Sequence, residues 1–200
     1  MARRICCDAE TKQCDRAFDP SSASECRGWC QRTFTVRSSP LVGAEWELVR
    51  VFAHGLTYAD SHLRFGVAIS LQDEVTVRKF FDVKADSGEI AWVLDEGAKI
   101  AGILHRVSVS PSEAEIALVV RAEFRRRGIG EFLVRQILFR AARQGFRTIG
   151  ASIFWNNRAA LRLVSKIGFT LREASSWTGE ITFDLNRIDA SRGGVACEPA

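Results

Sequence analysis

Three arginines and two glycines separate an apolar run from an amphipathic helix, in the segment Arg125-Arg126-Arg127-Gly128-Ile129-Gly130. Residues 117–120 before it are apolar without alternation, which is typical of a strand buried on both faces. The helix predicted over residues 128–144 carries apolar side chains at helical spacing and stops at Gly145. Glycines let such a turn approach a ligand closely, and the free amides of a helix N-terminus attract anions. The segment therefore predicts an α/β fold with a phosphate-binding turn.

The rest of the chain alternates helices and strands around this turn. Apolar periodicity and turn residues predict helices over residues 56–65, 71–81, 128–144 and 156–167. They predict strands over residues 90–94, 99–109, 115–120, 148–154, 169–173 and 180–185. This order favours an α/β domain with a mixed sheet over residues 45–186, followed by a tail over residues 187–200.

Charge and hydropathy exclude several classes of protein. With 46% hydrophobic residues and a net charge of +4, the chain is predicted to be globular rather than disordered. It contains no apolar run long enough for a membrane span, and its first residues lack the apolar core of a signal peptide, so we expect a cytoplasmic protein. Eight arginines lie between positions 121 and 147, but aromatic residues do not interleave with them as nucleic-acid binding requires. We interpret Arg135, Arg140 and Arg143 as a solvated helix face.

Cysteines are confined to the two ends of the chain. Five of the six lie in the first thirty residues and the sixth is Cys197, so the predicted domain depends on no disulfide. In a cytosolic chain such a cluster is more often a metal site than a set of disulfides. Residues 1–40 thus form a Cys-rich segment that is either a zinc knuckle or a leader with free thiols. The four candidate zinc ligands are Cys7, Cys14, Cys26 and Cys30.

Two motifs in this order resemble those of the GNAT superfamily of N-acetyltransferases. The pattern Q/R-x-x-G-x-G/A is matched by Arg125, Gly128 and Gly130. A second pattern, N-x-x-A…K-x-G-F, is matched one strand and one helix later, by Asn157, Ala160, Lys166, Gly168 and Phe169. The resemblance implies a GNAT fold, whose mixed, mostly antiparallel sheet is splayed at its central strands and has helices on both faces.

The resemblance also implies how acetyl-CoA would bind. Its pantetheine arm would pair with the backbone of Leu118, Val119 and Val120, and an amide near Val119 would polarise the thioester carbonyl. Its pyrophosphate would lie on the amides of residues 126–130. Asn157 would steady the pantetheine arm or the separation between strand and helix. The residues assigned to acetyl-CoA are Leu118, Val119, Val120, Arg125, Arg126, Arg127, Gly128, Ile129, Gly130 and Asn157.

One residue departs from the pattern of many GNAT enzymes. Their late helix carries a tyrosine that protonates the leaving thiolate, but the matching position here is Val164, and the single tyrosine, Tyr58, lies in the first predicted helix. A thiol with a pKa of about 8.5 can leave as the thiolate, whereas an amine with a pKa of about 10 needs a base before it attacks. Glu115, at the start of the central strand, is the predicted base. The alternative for Glu115 is a solvated charge at the strand end.

Several segments are similar to the Pat-type bacterial protein lysine acetyltransferases. They are Glu115-Ile116-Ala117-Leu118-Val119-Val120, Trp155-Asn156-Asn157-Arg158-Ala159 and the region of Leu56, Ser61 and Leu63-Arg64-Phe65. This similarity implies acetyl transfer to a protein lysine by direct attack in a ternary complex, with Glu115 as general base. A small-molecule amine, a protein N-terminal amine and a silent acyl-CoA-binding module are the alternatives.

Overall fold

The computed structural model of the chain describes residues 3–6, 16–17, 33–37, 43–81, 88–95 and 98–188. Its helices are α1 (Gly43–His54), α2 (Tyr58–Phe65), α3 (Glu74–Phe81), α4 (Ile129–Arg143) and α5 (Arg158–Ile167). Its strands are β1 (Arg3–Cys6), β2 (Arg16–Ala17), β3 (Thr33–Arg37), β4 (Gly88–Leu94), β5 (Ile100–Ser108), β6 (Glu113–Val120), β7 (Thr148–Phe154), β8 (Thr170–Ala174) and β9 (Thr178–Asp184). Short 3₁₀ turns cover Ala122–Phe124 and Leu185–Arg187.

These described strands form one mixed sheet, in the order β2-β1-β3-β4-β5-β6-β7-β9-β8. Strands β4, β5 and β6 follow one another as antiparallel neighbours, and β7 pairs antiparallel with β9. Strands β6 and β7 are parallel, and α4 forms the crossover between them. This arrangement is the α/β GNAT fold that the sequence predicts.

Two apolar cores lie on opposite faces of the sheet. One core joins α4 and α5 to β6 and β7, with Leu133, Ile137 and Ile149 fully buried. The other joins α1 and α3 to β4 and β5, with Phe52 and Trp92 fully buried. Helices therefore cover both faces, and α2 contacts β6 near its exposed end.

Helix α1 and strands β1, β2 and β3 are elements that the sequence analysis does not assign, and for α1 the signal was present. Its buried residues Trp46, Val49, Phe52 and Ala53 recur at spacings of three and four, the signal that could have identified it. The other helices and strands between residues 58 and 184 lie within a few residues of their predicted bounds.

Arg140 is more than the solvated side chain that the sequence predicts, because its exposed side chain also binds a buried carboxylate. Its Nη2 donates to Oε2 of the buried Glu89 at 2.9 Å, and Arg106 Nε donates to Oε1 of the same carboxylate at 3.1 Å. Glu89 and Arg106 are cross-strand neighbours, so only the pairing of β4 with β5 creates this charge cluster. Arg135 pairs with Glu131 one turn away, and Arg143 is exposed.

The structure places no long apolar helix in the part of the chain that it describes, so none there could cross a membrane. Cys7, Cys14, Cys26 and Cys30 lie outside the described residues. Among the residues that are described, no three His, Cys, Asp or Glu side chains form a group that could hold a metal ion.

Candidate functional site

Strands β6 and β7 diverge after three paired positions. The pairs are Glu113 with Thr148, Ala114 with Ile149, and Glu115 with Gly150. Both strands continue beyond this point, β6 to residue 120 and β7 to residue 154, without further pairing to each other. A V-shaped cleft therefore opens between them, with the last pair at its apex.

The backbone of β6 presents alternate residues to this cleft. The Arg121 amide donates to the Ala101 carbonyl of β5 at 3.1 Å, and the β5–β6 register continues without a shift. Because backbone groups of successive residues point to opposite sides of a strand, the Val119 amide is directed toward β5. The amides of Leu118 and Val120 face the cleft. An amide that polarises a thioester there belongs to Leu118 rather than to Val119, whose side chain lies in the core of α1 and α3.

The turn before α4 has an anion-binding backbone. Arg126 and Gly128 both adopt positive φ, 61° and 74°, which reverses the chain between the 3₁₀ turn and the helix. The first α4 bond runs from the Phe132 amide to the Gly128 carbonyl, and no side chain caps the helix. The preceding amides of residues 129–131 have no acceptor within the helix and are available to an anion.

Close packing explains the second glycine of the turn. A Cβ at Gly130 would lie 3.2 Å from Leu118 Cδ2 and 3.3 Å from Leu163 Cδ2. The absence of a side chain thus lets the first turn of α4 press against β6 and α5. The Arg126 and Arg127 side chains are exposed beside these amides, where they add positive charge.

Arg125 is held by protein groups on both sides. Its Nε donates to the Val120 carbonyl at 3.0 Å, and its Nη2 donates to the buried carboxylate of Asp60 in α2. Asp60 also accepts from the Thr57 amide at 3.0 Å and the Thr57 hydroxyl at 2.8 Å. Burial alone would raise the pKa of Asp60, but the bonds from Thr57 and Arg125 outweigh it and lower that pKa. The side chain of Arg125 therefore fixes the turn to α2 and to the end of β6.

A carboxylate in the first turn of α4 is neutralised by two cations. Glu131 accepts from Lys166 of α5 at 2.9 Å and from Arg135 at 3.0 Å. Burial would raise the pKa of Glu131, but these two cations outweigh burial and lower it. Lys166 thus ties the second motif to the phosphate-binding turn and keeps the turn positive.

Glu115 lies at the apex of the cleft, and its side chain is exposed. It shares the sheet face of Ala117 and Val119, the face covered by α1, α2 and α3. Gly150 opposite leaves room beside it, since a Cβ there would lie 3.7 Å from Glu115 Cγ. The carboxylate therefore has access to the cleft from the side opposite α4.

Asn157 and Val164 hold structural positions in α5. The Asn157 side chain accepts from the Ala160 amide at 3.1 Å and so caps the helix that follows β7. Val164 is buried in the core against α4, and Tyr58 is 64% exposed at the start of α2. Neither Val164 nor Tyr58 supplies a hydroxyl inside the described cleft.

Helix α2 spans the mouth of the cleft. His62 stacks on Phe154 at the end of β7, with ring centroids 5.0 Å apart. Arg64 Nη2 lies 2.6 Å from His105 Nδ1, and His105 Nε2 lies 3.2 Å from the Phe81 carbonyl. Burial, aided by the charge of Arg64, lowers the pKa of His105 to about 3, so the imidazole is neutral. It donates from Nε2 to Phe81 and accepts at Nδ1 from Arg64.

The residues of the site that sequence reasoning did not single out are Asp60 and Arg64, and the structure adds that the amide of Leu118 faces the cleft. The signal for Asp60 was present, because Thr57 and Asp60 form a capping box at the start of α2. Its pairing with Arg125 spans sixty-five positions and leaves no local trace. Of the residues predicted to bind acetyl-CoA, those of β6 and of the turn before α4 lie along the cleft, with Arg125 engaged by Asp60 and the Val119 amide directed toward β5.

Comparisons with known proteins agree with this geometry. A model of the acetyltransferase (GNAT) family matches residues 58–169, more than half of the chain. Among solved structures, the GNAT domain of PAT from S. lividans is similar with a TM-score of 0.65 and 18% identity, covering 76% of this chain and 90% of that one.

Two further solved structures have the same fold. A spermidine N-acetyltransferase from Vibrio cholerae, in complex with CoA and spermine, has a TM-score of 0.62 and 11% identity, over 77% of this chain and 96% of that one. The protein yncA from Salmonella typhimurium, with its cofactor acetyl-CoA, has a TM-score of 0.55 and 15% identity, over 82% and 99%. By its family match, the chain belongs to the GNAT acetyltransferases, enzymes that transfer an acetyl group from acetyl-CoA to amines.

Proposed function

We propose that the chain acetylates a protein lysine by direct attack in a ternary complex, with Glu115 as the general base. The observation that carries this proposal is the divergence of β6 and β7 directly after the pair of Glu115 and Gly150. The cleft-facing edge of β6 and the carboxylate at its apex are thus parts of one strand. We expect the reaction to take place in the cytoplasm.

The donor would be bound by backbone groups along β6 and α4. The pyrophosphate would accept hydrogen bonds from the amides at the start of α4, beside Arg126 and Arg127. The pantetheine arm would pair with the cleft-facing backbone of Leu118 and Val120. This arrangement brings the thioester toward the apex, where Glu115 lies.

The acceptor requires a base because an amine with a pKa of about 10 is protonated at neutral pH. Glu115 would accept the ammonium proton, directly or through water, and the nitrogen lone pair would attack the thioester carbonyl carbon. As the nitrogen–carbon bond forms, the Leu118 amide would stabilise the oxyanion. The carbon–sulfur bond then breaks and the electron pair leaves with the CoA sulfur. The attacking nitrogen then loses its second proton, which water carries to this thiolate, because Val164 offers no acidic group.

Protein lysine is favoured as acceptor by the similarity to the Pat-type segments and by the likeness to the S. lividans PAT domain. Glu115 is exposed, so a side chain projecting from another protein can reach it. A small-molecule amine is the second candidate, because the Vibrio cholerae structure of the same fold is a spermidine N-acetyltransferase.

The test is acetyl transfer by Glu115→Gln, with labelled acetyl-CoA and a panel of lysine-containing proteins and small amines. We expect kcat to fall about 100- to 10,000-fold, the usual contribution of a general base. Calorimetry should give an unchanged Kd for acetyl-CoA, because the binding groups are backbone amides and arginines. Full transfer by this variant would refute the role of Glu115.

Glu113→Gln is the matched control. Glu113 lies on the same strand and face, two residues from Glu115 on the paired side of the apex. Its variant should retain wild-type transfer. Equal losses in both variants would indicate a general charge effect at this end of the strand instead of a base.

A further inference from the structure

Arg64 carries a positive charge that no described carboxylate balances. Its guanidinium contacts the neutral His105, and its Nε is buried without a hydrogen-bond acceptor. The ion pairs of the described residues include no partner for Arg64, although Asp60 lies one helical turn away, because Asp60 binds Arg125. Burial lowers the pKa of Arg64 to about 10, so the guanidinium remains charged at neutral pH.

An unbalanced buried cation is costly for a fold. Buried charges in proteins are normally paired, and hydrogen bonds to a neutral imidazole do not replace an anion. Other buried or half-buried cations of this domain follow the rule, since Arg106 and Arg140 share Glu89. Arg64 is therefore an exception located beside the cleft.

Arg64 contacts a strand residue that lies close to Glu115. His105, which Arg64 contacts, stands opposite Ala117 in the β5–β6 register, and Glu115 is the next residue of β6 on that face. Diagonal cross-strand neighbours of this kind lie about 7–8 Å apart. His105, the residue that Arg64 contacts, and the proposed base thus lie one position apart on the face of the sheet that α2 covers.

We infer that Arg64 binds a carboxylate of the amine acceptor, so that the enzyme selects amines with a carboxylate a few carbon atoms away. This inference rests on the proposed function, because it assumes that the amine lies at Glu115. A carboxylate would pair with the guanidinium from the cleft side and supply the anion that Arg64 lacks among the described residues. Its source is either the acceptor's own carboxyl group or an acidic side chain beside a lysine.

A binding experiment tests the anion site without turnover. Hexanoate, which has a carboxylate and no amine, is titrated into the CoA-saturated protein, where the phosphate turn is already occupied. We expect saturable binding to wild type, a Kd about 10- to 100-fold higher in Arg64→Gln, and no binding of 1-hexanol. Glu115→Gln should bind hexanoate like wild type. A wrong assignment of Glu115 as the base can therefore be told apart from a wrong assignment of Arg64 as the carboxylate-binding residue.

Acceptor pairs identify where the carboxylate comes from. L-lysine and cadaverine differ only in a carboxyl group, and two lysine peptides differ only by aspartate or asparagine at the neighbouring position. In wild type, kcat/KM for the carboxylate-bearing member of one pair should exceed that for its partner by about tenfold or more. The Arg64→Gln variant should lose this preference. Arg64→Lys, which keeps the charge, should restore part of the preference.

Two results would overturn the inference. The first is hexanoate binding that is equal in wild type and Arg64→Gln, or absent in both. The second is that neither acceptor pair shows a preference for the carboxylate form. If Arg64→Gln fails to bind acetyl-CoA, the test rests on wild type and Arg64→Lys, and the absence of hexanoate binding to both would indicate a purely structural role for Arg64.

Discussion

Asp60 and Arg125 form an ion pair that joins helix α2 to the turn before α4. The Asp60 carboxylate is buried and also caps α2 through Thr57, while Arg125 also binds the Val120 carbonyl. One pair thus connects α2, the end of β6 and the turn before α4. The elements on the two sides of the cleft are held together through it.

Replacement of Asp60 should therefore weaken donor binding as well as the fold. Asp60→Asn removes the charge that holds Arg125, and we expect unfolding free energy to fall by about 1–3 kcal/mol. The Kd for acetyl-CoA should rise several-fold, because the turn loses its tether. Urea denaturation and calorimetry measure the two effects. Glu47→Gln breaks an exposed pair with Arg50 on α1 and should leave the Kd unchanged.

The left-handed backbone of Gly128 should be needed for donor binding. Gly128→Ala places a Cβ at φ 74°, which costs about 1–2 kcal/mol or shifts the turn and its amides. The Kd for acetyl-CoA should rise together with this loss of stability. Gly145→Ala is the control, since Gly145 has φ +90° after α4 and open space around it. Equal Kd values for both variants would contradict a role for the turn amides.

The cluster around Glu89 should stabilise the fold without affecting the cleft. Glu89→Gln leaves Arg106 buried without its anion, and breaking a buried pair costs about 3–5 kcal/mol. Chemical denaturation should show this loss, whereas KM for acetyl-CoA should stay constant because Arg140 lies at the end of α4 far from the turn. Glu74→Gln, which breaks an exposed pair with Arg78, should cost less than about 1 kcal/mol. Similar losses in both would contradict the argument.

His105 should make the fold less stable as the pH falls. Its folded pKa of about 3 lies below the unfolded value near 6.5, so between these values only the unfolded chain binds the proton. Stability should be complete above pH 6.5 and fall by about 1.4 kcal/mol per pH unit below it. Urea denaturation at pH 6.5 and 5.5 should show this loss in wild type and a smaller one in His105→Gln. Equal losses would refute a neutral buried His105.

The acid dependence below pH 5 has a different origin. The pKa values of Asp60 and Glu89 are lowered, despite their burial, by the arginines and hydrogen bonds around them. Because these folded pKa values lie below the unfolded ones, the stability that the carboxylates contribute is present above the unfolded pKa. It is lost as the pH falls through the folded pKa. The loss assigned to His105 is therefore measured above this range.

Local sequence determined the turn, the helices after it and the family. Positive φ at Gly128, the stop of α4 near Gly145 and the cap at Asn157 are each set by residues within one turn of the position. Such interactions follow chain spacing, so they are readable from the order of residues alone. Helix α1 also has apolar residues at helical spacing, but its pattern is less distinct.

Tertiary structure decided which charges meet and which backbone groups face the cleft. The pairing of Asp60 with Arg125, the sharing of Glu89 by Arg106 and Arg140, and the contact of Arg64 with His105 in place of a carboxylate all depend on sheet register and helix packing. The direction of the Leu118 and Val119 amides likewise depends on the β5–β6 register. The order of residues indicates a turn with free amides after an apolar strand. Only the tertiary structure, in which β6 and β7 separate after Glu115, makes that strand one side of a cleft.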